Sequence, residues 1–506
     1  MAKISIVGTK ARDKALKGAE YVANAVRQTI GPFGLNCLLE KGNKITNDGF
    51  SISAELTATI PDEFERRGAI ILHEVSTRTN ESVGDATSTS EVLAYEIAKE
   101  ATRYLASDKS LVAKKTPAQV LEMIEKSKDK VLSLLEMKAI TTKEELIQSA
   151  LVSVENQELA QLLGETQWDL GHEGIIIAEE VNDTKCSIEK VKGIRLDNGF
   201  GTSLVMNNPE KGSLELFDMP IMLTNYTIGV EEMKLIKERL FADMAAFKKY
   251  GLILVARAYT SDAIKMCMET LQTSFPVFPI NAPYQDQVEI MKDLEAVTGA
   301  RFIGTEESNL GDVHIGDIGH AQRFLARSYD GVVTGVDDAL ATERTLKRVA
   351  TLEKKFAGEQ SEFHKKELEE RMGQLSKGFA ILKVGSESKT NRKRLKDKAD
   401  DAVQSVRMAL KGGTVRGAGL ALKEAAEQLE DGDILKRPLM TINAQIMASA
   451  PSDFVVEDWV RDPYLTIKAA LENACATAGV LATVNTIICE ENPIRCHCNN
   501  KQYNEE

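Results

Sequence analysis

Residues 84–89 read Gly84-Asp85-Ala86-Thr87-Ser88-Thr89 and run directly into a helical pattern over 89–105. Small residues that let a backbone come close, hydroxyl donors, a carboxylate for a hard cation and the free amides of a helix start are what a nucleotide phosphate requires. Taken alone, the stretch is equally an ordinary Gly-Asp turn followed by a Ser/Thr cap. Upstream, Thr29-Ile30-Gly31-Pro32 closes a pattern over 10–30 in which Ala15, Ala19, Val22, Val26 and Ile30 recur at spacings of three and four, the mark of a core-facing helix. Between the two lies a turn, Thr46-Asn47-Asp48-Gly49. The common phosphate loops, G-x-x-x-x-G-K-[ST] and a strand-linked G-x-G-x-x-G, are missing, so any phosphate site rests on these three segments together.

Outward from there the chain changes texture twice. Helical patterns over 62–80, 89–105 and 116–135 make the first part mostly helical. From about residue 175, short buried-strand runs such as Gly174-Ile175-Ile176-Ile177-Ala178, Gly251-Leu252-Ile253-Leu254-Val255-Ala256 and Phe275-Pro276-Val277-Phe278 alternate with helices such as 261–273. A charged stretch over 353–372, with sparse apolar positions at Phe356, Phe363, Leu368 and Met372, reads as a helical hairpin projecting into solvent. After the strand-like run Phe379-Ala380-Ile381-Leu382-Lys383-Val384-Gly385, helical patterns return over 395–410, 418–429 and 465–478. Helical ends around an α/β middle suggest one discontinuous domain with the middle inserted.

The 506 residues exceed one ordinary core, which predicts two or three domains. A net charge of −13 disfavours a general nucleic-acid-coating role. The basic cluster Lys389, Arg392, Lys393, Arg394, Lys396 and Lys398 is interrupted by Asp397 and followed by Asp400 and Asp401, as on a solvated helix face. No apolar run approaches bilayer length and the start lacks a signal-peptide core, so the expectation is no membrane association and a cytoplasmic location, bacterial or that of an infected host. Seven scattered cysteines fit reduced thiols. Cys496-His497-Cys498 lacks a nearby fourth ligand to close a metal tetrahedron.

The order of these segments, with Asp401-Ala402, Gly417-Ala418-Gly419 and Asp462-Pro463 added, resembles the GroEL-type (group I, Hsp60) chaperonins over about residues 10–488, strongly at both ends and weakly in the middle. It looks like a divergent member of the kind expected from a large bacteriophage. The resemblance implies a multi-domain α and α/β architecture: an equatorial ATPase domain (1–132 and 412–506), an intermediate hinge domain (133–188 and 381–411) and an inserted α/β apical domain (189–380) that binds substrate. It implies ATP and Mg²⁺ as cofactors, non-native polypeptides as partners, a homo-oligomeric, seven-fold ring and a co-chaperonin lid as a further partner.

Carried over residue by residue, Asp85 would hold Mg²⁺. Thr29, Ile30, Gly31 and Pro32, with Ala86, Thr87, Ser88 and Thr89, would bind phosphate; Gly417, Ala418 and Asp462 would complete the nucleotide site. Asp48 and Asp401 would orient or activate the attacking water, Asp401 arriving from the intermediate domain so that closure completes the site. Phe200, Leu204, Val205, Ile264 and Met268 would capture non-native chains, and Gly193 and Gly378 would be hinges.

This chain also departs from the family pattern. Ala86 and Ala418 stand where the family has glycine, and Asn47 where a lysine is usual, so slower hydrolysis is implied and a non-cycling scaffold or holdase ring is the alternative reading. The connection from Pro438 to Asp462 is shorter than the family's, and residues 449–459 hold no counterpart of its small-residue base-contact segment. Weaker back-to-back ring association and poorer nucleotide discrimination are the corresponding expectations.

Overall fold

The computed structural model describes residues 3–39, 44–106, 115–172, 174–191, 193–196, 198–207, 213–241, 251–271, 273, 275–283, 287–305, 308–326, 331–336 and 339–490. The Cys496-His497-Cys498 tail lies outside them, as does the side chain of Phe363. The chain divides into two compact units. One comprises 1–172, 177–188 and 382–506; the other comprises 173–176 and 189–381. The segments assigned above to the equatorial domain, and those assigned to the intermediate domain except 173–176 and 381, fall in the first unit. Three of the four passages between units fall within strands, Ile175–Glu180, Ser187–Val191 and Phe379–Val384.

The first unit opens with four helices, α1 (Thr9–Arg27), α2 (Gly49–Thr59), α3 (Glu63–Val83) and α4 (Thr87–Ala106). The three-and-four spacing does what it predicts: Ala11, Ala15, Ala19, Val22 and Val26 of α1 are fully buried, against a core that includes Leu72 and Val75 of α3, Leu93 and Ile97 of α4, and Leu471 and Ala478 of the helix Tyr464–Thr483. Burying each large aliphatic side chain contributes roughly 1.5–3 kcal/mol, and this apolar core positions the loops at the helix ends. The two ends of the described chain meet as an antiparallel pair, with Lys3 opposite Glu490 and Val7 opposite Thr486.

Each of these helices starts or stops for a local reason. Asp48 caps α2, accepting from the Phe50 and Ser51 amides, and Asp62 caps α3 in the same way through Phe64 and Glu65. At the end of α3, Gly84 takes φ 68°, the left-handed conformation that terminates a helix and that glycine adopts without steric cost. The chain therefore turns sharply between α3 and α4 and leaves Asp85 and the start of α4 facing outward from the core.

The second unit carries a seven-stranded sheet. Its order is Gly193–Leu196, Gly331–Gly335, Gly319–Ala326, Leu214–Ile228, Leu252–Tyr259, Val277–Asn281, with Phe302–Ile303 pairing off Leu214–Ile228. The first four strands run antiparallel to their neighbours, and the pairs from Leu214–Ile228 through Val277–Asn281 are parallel. The hydrophobic run over 252–256 is fully buried, as befits a strand flanked on both sides.

One expectation is corrected here. The helices Ala339–Gly358 and Glu362–Lys377 do not project into solvent as a free hairpin. Leu352, Leu368 and Leu375 are buried, and Phe356 and Met372 pack partly against the same core. The apolar positions are sparse because ion pairs share the work: Asp293 of the helix Gln287–Thr298, itself 2% exposed, receives Arg348 Nε at 2.6 Å and Arg371 Nε at 2.7 Å. The basic cluster at 389–398 lies on the helix Lys389–Gly412, where Lys396 pairs with Asp400 and Lys398 with Glu155. Among the described residues no helix is long and apolar enough to cross a membrane.

Candidate active site

The loops between the helices of the first unit wall a cavity of about 540 Å³, within the range of small-molecule sites. Of the fourteen residues proposed for catalysis, nucleotide and metal, all line this cavity except Gly417, which precedes Ala418 and has its amide bonded to the Val460 carbonyl at 2.8 Å. Thr29, Ile30, Gly31 and Pro32 arrive from the end of α1, Asn47 and Asp48 from the start of α2, and Asp85 to Thr89 from the α3–α4 turn. Asp401 arrives on the helix Lys389–Gly412, some three hundred positions later, and Asp462 on the strand Arg461–Pro463. The Thr29 and Ser88 hydroxyls sit 3.2 Å apart, so two segments far apart in sequence offer donors at one place.

Three acidic groups dominate the electrostatics. Burial raises the carboxyl of Asp85 above the usual range, with the Ala86 amide, 2.5 Å from its oxygen, pulling the other way. Asp401 is raised well above the ordinary value, first by the crowding of protein around it and then by the charges of Asp85 and Asp48. Asp401 itself faces the cavity and keeps accessible surface. Burial likewise pushes Asp462 up to about 7, with Asp85 adding to the effect and the Ala418 backbone opposing it. Asp48 differs in being engaged already: the Phe50 and Ser51 amides donate to it at 3.1 and 2.9 Å and the Ser51 hydroxyl at 2.6 Å.

Mutually repelling carboxylates beside hydroxyl and amide donors form a site that a hard cation with attached phosphate oxygens would relieve. Among the described residues no three acidic, histidine or cysteine side chains converge closely enough to hold a metal by themselves. That suits Mg²⁺, which is commonly held by one or two carboxylates together with substrate phosphates.

The two alanine departures have a definite backbone consequence. Ala86 takes φ 61° and Ala418 φ 55°, both in the left-handed region that favours glycine. The backbone thus keeps the conformation a glycine motif would have, with the strain of a Cβ added.

Sequence reasoning missed part of the wall. Ile442 and Ile446 of the helix Lys436–Ser449, and Phe454, Val455, Trp459 and Val460 after it, form an apolar face of the same cavity. The signal was the unusual aromatic content just before Asp462-Pro463, in a chain with only two tryptophans.

The other predicted residues lie in the second unit. Leu204 is 73% exposed, and Ile264 and Met268 are partly buried on the helix Ser261–Thr270. Phe200 and Val205 are corrected: at 6% and 4% exposure they belong to the core, Phe200 bridging to Ile280, and neither offers a surface for capture. Gly193 opens a strand, and a Cβ there would meet the Phe379 ring and the Val333 carbonyl at 2.5 Å, so close packing demands glycine at this position. Gly378 caps the helix Glu362–Lys377 at φ 68°.

Comparison with known proteins extends this geometry to the whole chain. The fold is that of the chaperonin gp146 from the bacteriophage EL 2 (Pseudomonas aeruginosa), solved in presence of ATP-BeFx. In crystal form II the TM-score is 0.70 at 17% identity, covering 97% of this chain and 100% of that one. In crystal form I it is 0.62 at 18% identity, covering 96% and 99%. The model of the TCP-1/cpn60 chaperonin family matches residues 22–450, a span that takes in the turns at 29–32 and 84–89, Asp48 and Asp401 and the entire inserted unit, and by that match the chain belongs to the TCP-1/cpn60 chaperonin family.

Proposed function

We propose that this ATP-dependent chaperonin hydrolyses ATP in the cavity of its first unit and uses the cycle to capture, enclose and release non-native polypeptides. The observation that carries the reading is the convergence of Asp48, Asp85 and Asp401 with the Thr29 and Ser88 hydroxyls on one cavity, from segments that have no other reason to meet.

In this reading Asp85 holds Mg²⁺ against the phosphates, which supplies charge neutralisation for the leaving group. The start of α4 and the Thr29 turn cradle phosphate oxygens. Asp401 aligns the attacking water and accepts its proton, a role matched to a carboxyl whose proton affinity is raised. Asp48, held by its capping bonds, orients rather than abstracts. The partition into equatorial, intermediate and apical domains, with Gly193 and Gly378 as hinges, makes arrival of Asp401 the gating step. Leu204, Ile264 and Met268 form the capture face, and the assembly is a seven-membered ring, closed by a lid-like partner.

The test is phosphate release by the purified protein with Mg²⁺ and ATP, together with suppression of aggregation of a denatured test protein. Turnover coupled to release of refolded protein supports the cycle. Nucleotide binding and aggregation suppression without phosphate release would select the holdase reading, which the strained Ala86 and Ala418 favour. The carboxylates all being present favours turnover.

A further inference from the structure

Three helices whose ends build the acidic part of the cavity are also joined in the interior of the first unit, by a polar cluster that the catalytic reading does not use. Ser53 of α2, His73 and Ser76 of α3 and Glu91 of α4 meet there. Ser53 Oγ lies 2.7 Å from His73 Nδ1 and 3.4 Å from Ser76 Oγ, and Ser76 Oγ lies 3.3 Å from the same imidazole nitrogen. The Ser76 hydroxyl also donates to the His73 carbonyl at 2.8 Å, and the Ser53 hydroxyl to the Phe50 carbonyl at 3.1 Å. The Phe50 ring packs against the imidazole with centroids 5.1 Å apart. Burial raises the Glu91 carboxyl well above its ordinary range, while the Ser53 and Ser76 hydroxyls oppose the rise and the Asp48 charge adds to it. The two hydroxyls thus stand between imidazole and carboxyl, each with a proton and lone pairs to offer.

Serine, histidine and glutamate together do not make a hydrolytic triad here. The hydroxyl, not the imidazole, holds the middle place, and Ser53, Ser76 and Glu91 are all fully buried. None of the four lines the cavity. What the cluster reaches is the relative placement of the helix ends. Ser53 is little more than one turn along α2 from its cap, Asp48, and Glu91 is one turn along α4 from Thr87. The end of α3 leads through Gly84 into Asp85. A Cβ on Gly49 would meet Ser88 Oγ at 2.3 Å and the Ser88 amide nitrogen at 2.9 Å, so α2 begins directly against the start of α4. Apolar contacts are non-directional and let packed helices slide, whereas hydrogen bonds among buried groups fix rotation and register.

Resting on the nucleotide reading of the cavity, we infer that Ser53, His73, Ser76 and Glu91 are positioning residues for hydrolysis, locking α2, α3 and α4 in register so that the Asp48 carboxylate is held in place against residues 87–89. They touch no substrate. Their loss leaves every binding group present and shifts Asp48 relative to the others. Binding is shared among many groups and tolerates such a shift, but the transition state needs an aligned nucleophile, and a misplacement of about 1 Å costs up to about 10²-fold in rate. The capping bonds from the Phe50 and Ser51 amides hold Asp48 to its own helix. The cluster does the complementary task of holding that helix to its neighbours.

The experiment compares Mg²⁺-dependent ATP hydrolysis, ATP binding and the urea midpoint of the assembled wild-type protein with those of variants. The triple variant Ser53→Ala, Ser76→Ala, Glu91→Leu exchanges the cluster for apolar side chains of similar volume, a change that packed interiors often accept. The expected result is a midpoint near the wild-type one, a KM within about threefold and a kcat lower by roughly 10- to 100-fold. Glu91→Gln, which keeps a donor and an acceptor, should hold kcat within about threefold of the wild type. In an Asp48→Asn background the triple variant should lower kcat no further, because the cluster acts through Asp48. A folded triple variant with wild-type kcat would overturn the inference, as would losses that add to that of Asp48→Asn. If the triple variant does not fold, His73→Phe decides: at this half-buried position the ring keeps its contact with Phe50 and loses the Ser53 bond. A lowered kcat at unaltered KM then supports the inference and a wild-type kcat overturns it. A wild-type protein that binds ATP without hydrolysing it would overturn the inference and leave the nucleotide site intact. Absence of ATP binding would remove the nucleotide reading itself, and this inference with it.

Discussion

Replacing Ala86 and Ala418 by glycine should stabilise this protein, although glycine ordinarily destabilises. At φ 61° and 55° both alanines are in left-handed backbone, where the Cβ crowds the following carbonyl at about 1–2 kcal/mol relative to the right-handed conformation. Glycine removes that strain and, by loosening the unfolded chain, gives back about 0.4–1 kcal/mol. The net is about 0.5–1 kcal/mol per site, and about 1–2 kcal/mol for the double variant if the two sites, which share one cavity wall, act nearly independently. Urea unfolding of the nucleotide-free protein at fixed protein concentration, followed by tryptophan fluorescence, reads the change as a raised midpoint at unchanged slope. Ala58→Gly is the control: Ala58 is an exposed position within α2, in right-handed helix, and should lose about 0.5–1 kcal/mol. Ala86→Gly lowering the midpoint as Ala58→Gly does would refute the strain argument. Because the backbone already has the glycine-like conformation, ATP turnover should change less than tenfold; a much larger rise would show that the methyl groups, not the backbone, obstruct the nucleotide.

Three further outcomes follow from other parts of the structure. Asp401→Ala should retain nucleotide binding while phosphate release falls by roughly 10²-fold or more, the usual contribution of a positioned base; single-turnover kinetics with unchanged phosphate release would reject that role. Glu91 of α4 is fully buried, and burial raises its carboxyl well above the glutamate range, with the Ser53 and Ser76 hydroxyls opposing the rise and the Asp48 charge adding to it. The folded state therefore binds this proton more tightly than the unfolded chain, so its favourable contribution is complete below the ordinary value of about 4.3 and is lost as pH rises toward the raised one. Glu91→Gln should flatten the decline in stability as pH rises above the ordinary glutamate value, and an unaltered slope of urea midpoint against pH would count against the assignment. Asp293→Ala should cost about 1–3 kcal/mol locally, because Arg348 and Arg371 lose one of two shared carboxylates and keep the other, Glu289. Hydrogen exchange in the helices Ala339–Gly358 and Glu362–Lys377 should accelerate, and unchanged protection there would show that Asp293 is not what holds them.

How much of this was legible in one dimension differs from element to element. The helix of residues 9–27 was readable because a period of 3.6 puts Ala15, Ala19, Val22 and Val26 on one side, and a residue that must be buried in any arrangement announces itself by spacing alone. The turns at 29–32 and 84–89 were readable because glycine, hydroxyl and carboxylate side chains leave few alternatives at a helix end or start. The charged helices after residue 339 were misread: their apolar count was low, and nothing in their own sequence says that Asp293, more than fifty residues earlier, accepts two of their arginines. Phe200 and Val205 were misplaced for the same reason, since an apolar residue in a loop is exposed or buried according to what folds over it, here the strand that carries Ile280. The sequence by itself determined the helices, the order of the acidic turns and the family resemblance, because local periodicity and side-chain chemistry are properties of short segments. Only the tertiary structure decided that Asp85, Asp401 and Asp462 share one cavity, that its far wall is aromatic, and that Ala86 and Ala418 take left-handed backbone, because each depends on long-range packing that brings distant segments together and then forces the local chain to comply.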